Sequence, residues 1–437
     1  MTDTTGVGGT HSPASAGPVA RGSVARVGAA TALTAVCGYA MLYLAARDLD
    51  PAGFSIFGVF WGAFGLVAGA ANGLLQETTR EVRSAHHAQG GGSLVPAAGP
   101  RIRPLPVAGA AGVAAAAVLA AGSPLWSSHV FVSARWLSVG LLSVGMACFA
   151  VHATLLGALA GTDRWTQYGA LMVTDAVIRV LVASATFLVG WGLVGFLWAT
   201  VAGSVAWLLM LVASPPARAA ARLTTPVSAA TFLRGAAHSI TAAGASAVLV
   251  SGFPVLLQTT YGELGAEGGV VILAVTLTRA PLLVPLTAMQ GNLIAHFVDQ
   301  RPRWVRALAV PAALIVGVGA VGAAAAGLIG PWLLRVAFSP DYDAGGALLA
   351  GLTLAAIALA LLTLTGAAAV AAALHRAYAV GWVGATVAST LLLLLPMDLG
   401  TRAVVALACG PLVGIAVHLG ALHIAGARGP ASPPPVN

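Results

Sequence analysis

The sequence predicts an all-α polytopic membrane protein with about 12 transmembrane helices arranged as two six-helix halves. Three observations predict this fold: the composition, a regular succession of apolar segments and the placement of arginine. The chain has 437 residues, of which 58% are hydrophobic and 8% are charged. Because soluble domains carry about 25% charged residues, most of this chain must be surrounded by lipid or by its own side chains.

Apolar segments long enough to cross a bilayer, which takes about 20 residues in a helix, recur along the whole chain. The outer loops between them are short and leave no room for a folded outer domain. Twelve spans are predicted, at residues 25–46, 54–76, 104–122, 135–160, 168–190, 192–213, 235–259, 268–296, 307–330, 347–374, 378–397 and 402–424.

Arginine supplies every basic residue, since all 21 are Arg and the sequence contains no lysine. With both termini inside, 15 arginines fall in cytoplasmic segments and 4 in outer ones, as the positive-inside rule describes. The asymmetry predicts a multi-pass protein of a bacterial-type plasma membrane with cytoplasmic termini. The lack of lysine also excludes a GK[ST] phosphate-binding loop and lysine Schiff-base chemistry.

The segments outside the spans predict the domain organisation. The N-terminus is rich in Gly, Ser, Thr and Pro and lacks the apolar core of a signal peptide. The predicted units are a disordered cytoplasmic tail (1–24), an N-terminal six-helix bundle (25–213), a cytoplasmic linker (214–234), a C-terminal six-helix bundle (235–424) and a second disordered tail (425–437).

Weak self-similarity relates the two halves. Arg26 and Arg234 each open the first span of a half, and the fourth span of each half runs into a tight inner turn, at Asp163 and at His375. A six-span repeat returns the chain to the side where it started, so the halves share one orientation. They are therefore related by a pseudo-two-fold axis along the membrane normal, with a binding site expected between them near the midplane.

Three stretches of the sequence resemble a known family over residues 22–424. They are the outer loop LDPAGF, the inner turn LLGALAGTDRWTQYGA and the eighth-span segment ILAVTLTRAPLLVPLTAMQGNLIAHFVD. The layout resembles the flippases of the multidrug/oligosaccharidyl-lipid/polysaccharide (MOP) superfamily, in particular the polysaccharide-exporter branch. The related lipid II flippases have two further spans that this chain lacks.

The resemblance implies a function. It implies two bundles around a central cavity that move a polyprenyl-(di)phosphate-linked oligosaccharide from the inner to the outer leaflet by alternating access, for cell-envelope polysaccharide assembly. The expected partners are the lipid-linked glycan, membrane lipids and glycosyltransferases or polymerases of the same pathway. The expected protein is a monomer and a transporter, not an enzyme, without cofactor, metal or nucleic-acid partner.

Arg279 lies inside the eighth span with no acid three or four residues away on either side. An arginine at a helix centre costs ~2.5–3.5 kcal/mol on insertion scales, and its guanidinium matches phosphate oxygens bidentately. Arg279 is therefore predicted to bind the phosphate of a substrate in a hydrated cavity. The alternatives are an ion pair with an acid on another helix, or an extended side chain that reaches the membrane surface.

Asp175 and Arg179 lie four residues apart in the fifth span, on one helix face. They are predicted either to neutralise each other or to act on the substrate and its coupling ion. In the second interpretation Arg179 binds substrate and Asp175 couples transport to a proton or a sodium ion.

Further polar residues are candidates for substrate binding. Arg26 and Arg234, at the cytoplasmic entrances of spans one and seven, either receive phosphate from the inner leaflet or anchor the helices. Gln76, Gln290 and Asn292 are candidates for lining the cavity toward sugar hydroxyls.

Glycine and proline mark the predicted hinges. Gly252 and Pro254 interrupt span seven, and Pro281 and Pro285 follow Arg279 in span eight. Proline removes a helical hydrogen bond and bends or breaks the helix, and alternating access requires some helix to bend or rock.

Two other functions remain open. An acidic pair in the first outer loop, Asp48 and Asp50, is typical of polyprenyl-phosphate-sugar glycosyltransferases, although a solvated turn before Pro51 is the favoured interpretation of the pair. A small-molecule exporter of the same fold is the other alternative.

Overall fold

The computed structural model describes residues 21–90, 100–300 and 304–427. Within these ranges the chain is helical, without a β-strand apart from one isolated bridge. The helices are α1 (Arg21–Asp48), α2 (Pro51–Gly90), α3 (Pro104–Val130), α4 (Arg135–Gly161), α5 (Trp165–Val189), α6 (Gly192–Ala202), α7 (Ala206–Ala213), α8 (Pro215–Ala221), α9 (Ala229–Val250), α10 (Phe253–Tyr261), α11 (Gly265–Ala288), α12 (Gln290–Asp299), α13 (Trp304–Ala337), α14 (Gly346–Ala371), α15 (His375–Leu393) and α16 (Leu399–Ala427).

The helices account for the predicted spans. Ten helical segments are long and apolar enough to cross a membrane, and the bent pair α9–α10 makes an eleventh. The helix α15, with 19 residues, occupies the position of the remaining predicted span and packs against α14 and α16. The predicted all-helical, polytopic fold is confirmed.

Both predicted tails overlap with helices at their inner ends. The helix α1 begins at Arg21 and α16 ends at Ala427. The rest of the two tails, residues 1–20 and 428–437, lies outside the described residues.

The same pattern of helix neighbours appears twice. In the N-terminal half α1 packs on α5, α2 and α3 pack on α4, and α5 packs on α6. In the C-terminal half α9 and α10 pack on α15, α11–α12 and α13 pack on α14, and α15 packs on α16. Corresponding helices of the two halves thus have corresponding neighbours within their own half, as a two-fold relation between the halves requires.

The two ends of the bundle are named here by the chain. The termini side is the end where α1 begins and α16 ends, and the far side is the end where α1 ends and α16 begins. The helix α2 extends well past the predicted end of its span at residue 76 on the termini side, where an ion pair of 2.6 Å joins Arg83 to Asp163.

The predicted linker is attached to the N-terminal half. It contains α8, and the guanidinium of Arg164 donates a hydrogen bond to the carbonyl of Pro216. Ile102 and Thr225 exchange two backbone hydrogen bonds, of 3.1 and 2.9 Å. The helix α9 begins at Ala229, so the last residues of the predicted linker belong to the first helix of the C-terminal half.

The halves meet along a row of glycines on α2, called here the glycine seam. Its spacing of three or four residues places its members on one helix face. A Cβ at Gly73 would lie 2.2 Å from the backbone nitrogen of Ile240, and one at Gly69 would lie 2.5 Å from the Cβ of Ala247. Only glycine allows α2 and α9 to approach this closely. The seam consists of Gly58, Gly62, Gly65, Gly69 and Gly73.

Candidate functional site

A cavity of about 320 Å³ lies between the two halves. Its walls come from α1, α2, α4 and α5 of the N-terminal half and from the α9–α10 break and α11 of the C-terminal half. The charged residues among its lining are Asp175, Arg179 and Arg279. The structure therefore brings together the three intramembrane ionisable residues that the sequence singled out, on two different halves.

Arg279 reaches the cavity from the middle of α11. Its Nη1 atom is buried and has no hydrogen-bond partner among the described residues, and no acid pairs with it there. Tyr39 on α1 lies within range of an electrostatic interaction with the guanidinium. The guanidinium is thus a positive charge on the cavity wall that retains an unused donor.

Asp175 and Arg179 form a closed pair on α5. The guanidinium donates two hydrogen bonds to the carboxylate, from Nη2 over 2.9 Å and from Nε over 3.0 Å, and the side chains are 14% and 12% exposed. Its Nη1 donates to the carbonyl of Thr200, and the guanidinium lies 4.9 Å from the ring centroid of Phe64. Each nitrogen of Arg179 is therefore already engaged within the N-terminal half.

The part of the cavity wall that comes from the C-terminal half contains a broken helix. The axes of α9 and α10 meet at 67°, with the break at Ser251 and Gly252. The backbone N–H groups of Ser251 and Gly252 both donate to the carbonyl of Ala247. Pro254 lies in the first turn of α10, where the new helix direction begins. Ser251 and Pro254 line the cavity and pack against Gly62 of the glycine seam. The predicted hinge residues thus lie at a bend in the cavity wall.

The other two predicted hinge prolines sit differently. Pro281 and Pro285 lie inside α11, which continues to Ala288, and both side chains face outward. One residue, Met289, separates α11 from α12. The span that carries Arg279 is therefore interrupted after both prolines, closer to the termini side.

Among the remaining predicted substrate contacts, those whose side chains are described lie outside the cavity lining. Arg26 is exposed near the start of α1 and donates to the hydroxyl of Thr166 over 2.8 Å. Arg234 and Gln76 are exposed on the termini side, and Gln290 is half-buried at the start of α12. Asn292 belongs to α12, and its side chain is outside the described part of the structure.

Several lining residues were not predicted from the sequence. Cys37 places its thiol on the α1 wall, and Trp61 and Phe64 provide aromatic surface on α2. A helical spacing of glycines on α2, readable in the sequence, marks the face that turns toward the other half. The register between helices, which decides which neighbouring side chains reach the cavity, has no signal in a single sequence.

The far side of the cavity is closed by contacts between the halves, called here the far-side clasp. Arg47 donates to the carbonyl of Phe338 over 2.7 Å, and the hydroxyl of Tyr342 donates to the carbonyl of Leu49 over 3.0 Å. The ring of Tyr342 is fully buried and meets Phe54 edge-on at 5.9 Å. Burial raises the pKa of Tyr342, and Asp50 and Asp341 act in the same direction, so its hydroxyl keeps the proton that it donates. The clasp consists of Tyr43, Arg47, Leu49, Phe54, Phe338 and Tyr342.

The two sides of the interface differ in packing. The helix α2 packs against α9, α10 and α11, whereas α1 touches α11 only lightly. Among the described helices, α1 and α12 share no extensive packing on the termini side. The clasp thus closes the far side, and the least packed part of the interface lies between α1 and α11–α12.

The chain shares its fold with several solved transporter structures. The chain superposes on an inward-facing multidrug resistance MATE family transporter of the MOP superfamily with a TM-score of 0.69 and 14% sequence identity, over 91% of this chain and 96% of that one. The outward-facing conformation of a MATE family transporter gives 0.61, with 13% identity over 93% and 96%. A MOP superfamily transporter from Pyrococcus furiosus gives 0.63, with 15% identity over 93% and 96%. The fold is that of the MOP superfamily transporters, as predicted, while the polysaccharide-exporter branch stays a prediction.

Relatives with high sequence identity come from mycobacteria. No family model matches the chain. The uncharacterized protein Mb3654 of Mycobacterium bovis is 71% identical over 423 residues, which cover 96% of this chain and 97% of the relative. The uncharacterized protein Rv1510 of Mycobacterium tuberculosis is 69% identical over 422 residues, covering 97% and 95%. The chain belongs to the family of these mycobacterial proteins.

Proposed function

We propose that the protein is a flippase that moves a polyprenyl-(di)phosphate-linked oligosaccharide from the inner to the outer leaflet for cell-envelope assembly. The observation that carries the proposal is Arg279: a guanidinium on the wall of an inter-half cavity, with a buried Nη1 that has no partner among the described residues. Such a group is costly in a membrane unless an anion of the substrate uses it. Phosphate is the anion whose oxygens fit its geometry.

The weakly packed side of the interface supports a lipid-linked substrate. A headgroup at Arg279 must enter between helices if its polyprenyl chain is to stay in the bilayer. The light contact between α1 and α11, beside the tight contact of α2 with α9, makes the α1–α11 side the place for such an entry. The polar headgroup would then be inside the cavity while the apolar chain remains among the lipids, where no desolvation of polar groups is required.

The charge distribution supports an orientation with the termini side in the cytoplasm. The termini side carries Arg80, Arg83, Arg164 and Arg234, whereas the far side carries acidic residues such as Glu267. This follows the positive-inside rule. In that orientation the clasp closes the outer face, so the substrate would enter from the inner leaflet.

The two alternatives differ in what supports them. The glycosyltransferase alternative is weakened by the structure around Asp50. Its carboxylate accepts a hydrogen bond of 2.9 Å from the backbone N–H of Gly53 and so caps α2, which accounts for this acid without a catalytic role. For a small-molecule exporter, the aromatic rings of Trp61, Phe64 and Phe149 on the cavity wall are a favourable observation. Transport of a soluble aromatic anion in place of a lipid-linked sugar would favour that second candidate.

Transbilayer movement in proteoliposomes tests the proposal. The purified protein is reconstituted with a short-chain isoprenoid phosphoryl sugar, and periodate added outside measures how much sugar becomes accessible with time. We expect the wild type to move the lipid and Arg279→Gln to lose most of this activity, with Arg279→Lys retaining part of it because the charge remains without the planar fork.

The matched control is Arg335→Gln. Arg335 is an arginine on the far side, paired over 3.4 Å with the exposed Asp343 and absent from the cavity lining. It should leave the rate unchanged. Wild-type movement of the lipid by Arg279→Gln would overturn the assignment of the phosphate site, and failure of the wild type to move any lipid-linked sugar would overturn the flippase proposal.

A further inference from the structure

We infer that the cavity selects a carrier with a single phosphate and a small headgroup, a polyprenyl monophosphate-linked sugar, over its diphosphate-linked counterpart. This inference rests on the proposed function and specifies its substrate. It follows from the charges of the cavity, the hydrogen bonds of its two arginines and its volume.

The charge available to a ligand is one positive charge. Asp175, Arg179 and Arg279 are the charged residues among the cavity lining, and together they carry a net charge of +1 when all three are ionised. A phosphodiester between a polyprenol and a sugar carries one negative charge. The diphosphate analogue carries two, so it would bring one negative charge without a counterpart into the cavity.

Arg179 does not supply the second charge. Its Nε and Nη2 are bonded to Asp175, and its Nη1 is bonded to the carbonyl of Thr200. A ligand phosphate could bind there only by displacing a bidentate carboxylate that is itself largely buried. Breaking such a pair leaves a buried carboxylate uncompensated, which is strongly unfavourable.

Arg279 is free to bind one phosphate. It lines the cavity, and its guanidinium has no ion pair or hydrogen bond among the described residues, so it can bind one anionic group there. The hydroxyl-bearing residues of the lining, Thr34, Ser251 and Thr276, bring no charge, so a second phosphate would lose its hydration without a positive charge to compensate it.

The volume of the cavity points to a small headgroup. About 320 Å³ is at the lower end of the range of small-ligand pockets, which run from about 300 to 1,000 Å³. The far-side clasp closes this space beyond Phe54, so a long glycan could not extend past it in the same conformation.

Protection of Cys37 from a thiol reagent measures binding directly, because this thiol lines the cavity. The protein carries Cys148→Ala and Cys409→Ala so that one thiol remains. The probes are phosphoryl-glucose and diphosphoryl-glucose esters of the same short isoprenol. We expect the monophosphate to protect Cys37 at concentrations about tenfold lower than the diphosphate, in line with the binding free energy of one charge-assisted contact.

The variant Asp175→Asn tests the reason for the preference. It removes the carboxylate that neutralises Arg179 and gives the cavity a second positive charge, so the diphosphate should become the tighter ligand. The matched control Asp163→Asn removes an exposed acid that pairs with Arg83 outside the cavity, and it should keep the wild-type preference. Arg279→Gln should bind neither probe more tightly than the other.

The outcomes separate the two proposals. Equal or tighter binding of the diphosphate by the wild type would overturn the single-charge inference and leave the flippase proposal intact. Protection of Cys37 by neither probe would overturn the flippase proposal as well. Because the comparison of the two probes on the wild type decides the question, the test does not depend on the folding of Asp175→Asn.

Discussion

At the scale of single residues, the intramembrane charges show what a sequence can and cannot predict. The pairing of Asp175 with Arg179 follows from their spacing on one helix face, and the structure shows that pair with two hydrogen bonds. The isolation of Arg279 was also readable, because no acid lies one turn away on α11. That Cys37 lines the same cavity was not readable, because the register of α1 against α11 depends on packing between distant segments.

A second buried polar group, His418 on α16, stabilises the C-terminal half. Its Nε2–H donates to the carbonyl of Tyr378 over 3.2 Å, and its Nδ1 lies 3.1 Å from the hydroxyl of Thr365. The imidazole is fully buried and stacks on the ring of Tyr378, while Gly381 leaves the space that it fills. One side chain thus joins α14, α15 and α16.

We predict that His418→Ala lowers the free energy of unfolding by about 1–3 kcal/mol, since it leaves buried polar groups unpaired and a cavity among three helices. Thermal unfolding in detergent would measure the change. His423→Ala, on the exposed face of the same helix, should change stability by less than about 0.5 kcal/mol. Equal effects of the two variants would contradict the role given to the His418 contacts.

At the scale of helices, α2 differs most from its prediction. The span was expected at 54–76, but the helix continues to Gly90. The extension carries charged residues, such as Glu77, Arg80 and Arg83, which end an apolar pattern without ending a helix. Hydropathy therefore locates the membrane-crossing part and not the helix, whereas the break at Gly252 was readable because glycine and proline act on the backbone itself.

The glycine seam of α2 leads to a prediction at this scale. Gly73→Ala would place a Cβ 2.2 Å from the backbone of Ile240, which cannot move without shifting α9. We expect the variant to separate α2 from α9 and to lower the melting temperature by several degrees, because overpacking costs about 1–3 kcal/mol.

Gly28→Ala is the control for helix propensity. No atom lies within 4 Å of a Cβ at Gly28 on α1, so alanine should be neutral or stabilising by up to about 1 kcal/mol. If Gly73→Ala proved as stable as Gly28→Ala, the close approach of the two halves at the seam would not be maintained in the folded protein.

At the scale of the whole molecule, the twelve-helix, two-half architecture was predictable. Each span must match the thickness of the bilayer, and the placement of the arginines indicates the orientation of the chain. The arrangement of the halves was not predictable. Whether the far side or the termini side is closed depends on contacts such as that of Arg47 with Phe338, which join residues almost 300 positions apart and have no local pattern.

The far-side clasp gives a prediction about the conformational equilibrium. Tyr342→Phe removes the hydroxyl that bonds to Leu49, and one such bond contributes about 0.5–1.5 kcal/mol. The population with an open far side should therefore rise about two- to tenfold. In the protein with Cys37 as its only thiol, a membrane-impermeant reagent added on the far side should label Cys37 faster by the same factor.

Tyr261→Phe is the matched control. Tyr261 is a partly exposed tyrosine at the same end of the molecule, outside the clasp, and Arg402 lies over its ring. Its substitution should leave the labelling rate unchanged. An unchanged rate for Tyr342→Phe would mean that the clasp does not hold the far side closed.

The attachment of the linker to the N-terminal half sets the geometry of any rocking motion. Thr225 is bonded to Ile102, and Ser228 caps α9 by accepting from the N–H of Thr231, so the connection between these two fixed points is only Pro226 to Ser228. A stretch of this length reaches at most about 10 Å when fully extended. The chain itself therefore acts as a short tether beside α9, and the pivot must lie close to it. The greatest displacement is then expected at the opposite rim, between α1 and α12, where no covalent connection crosses from one half to the other.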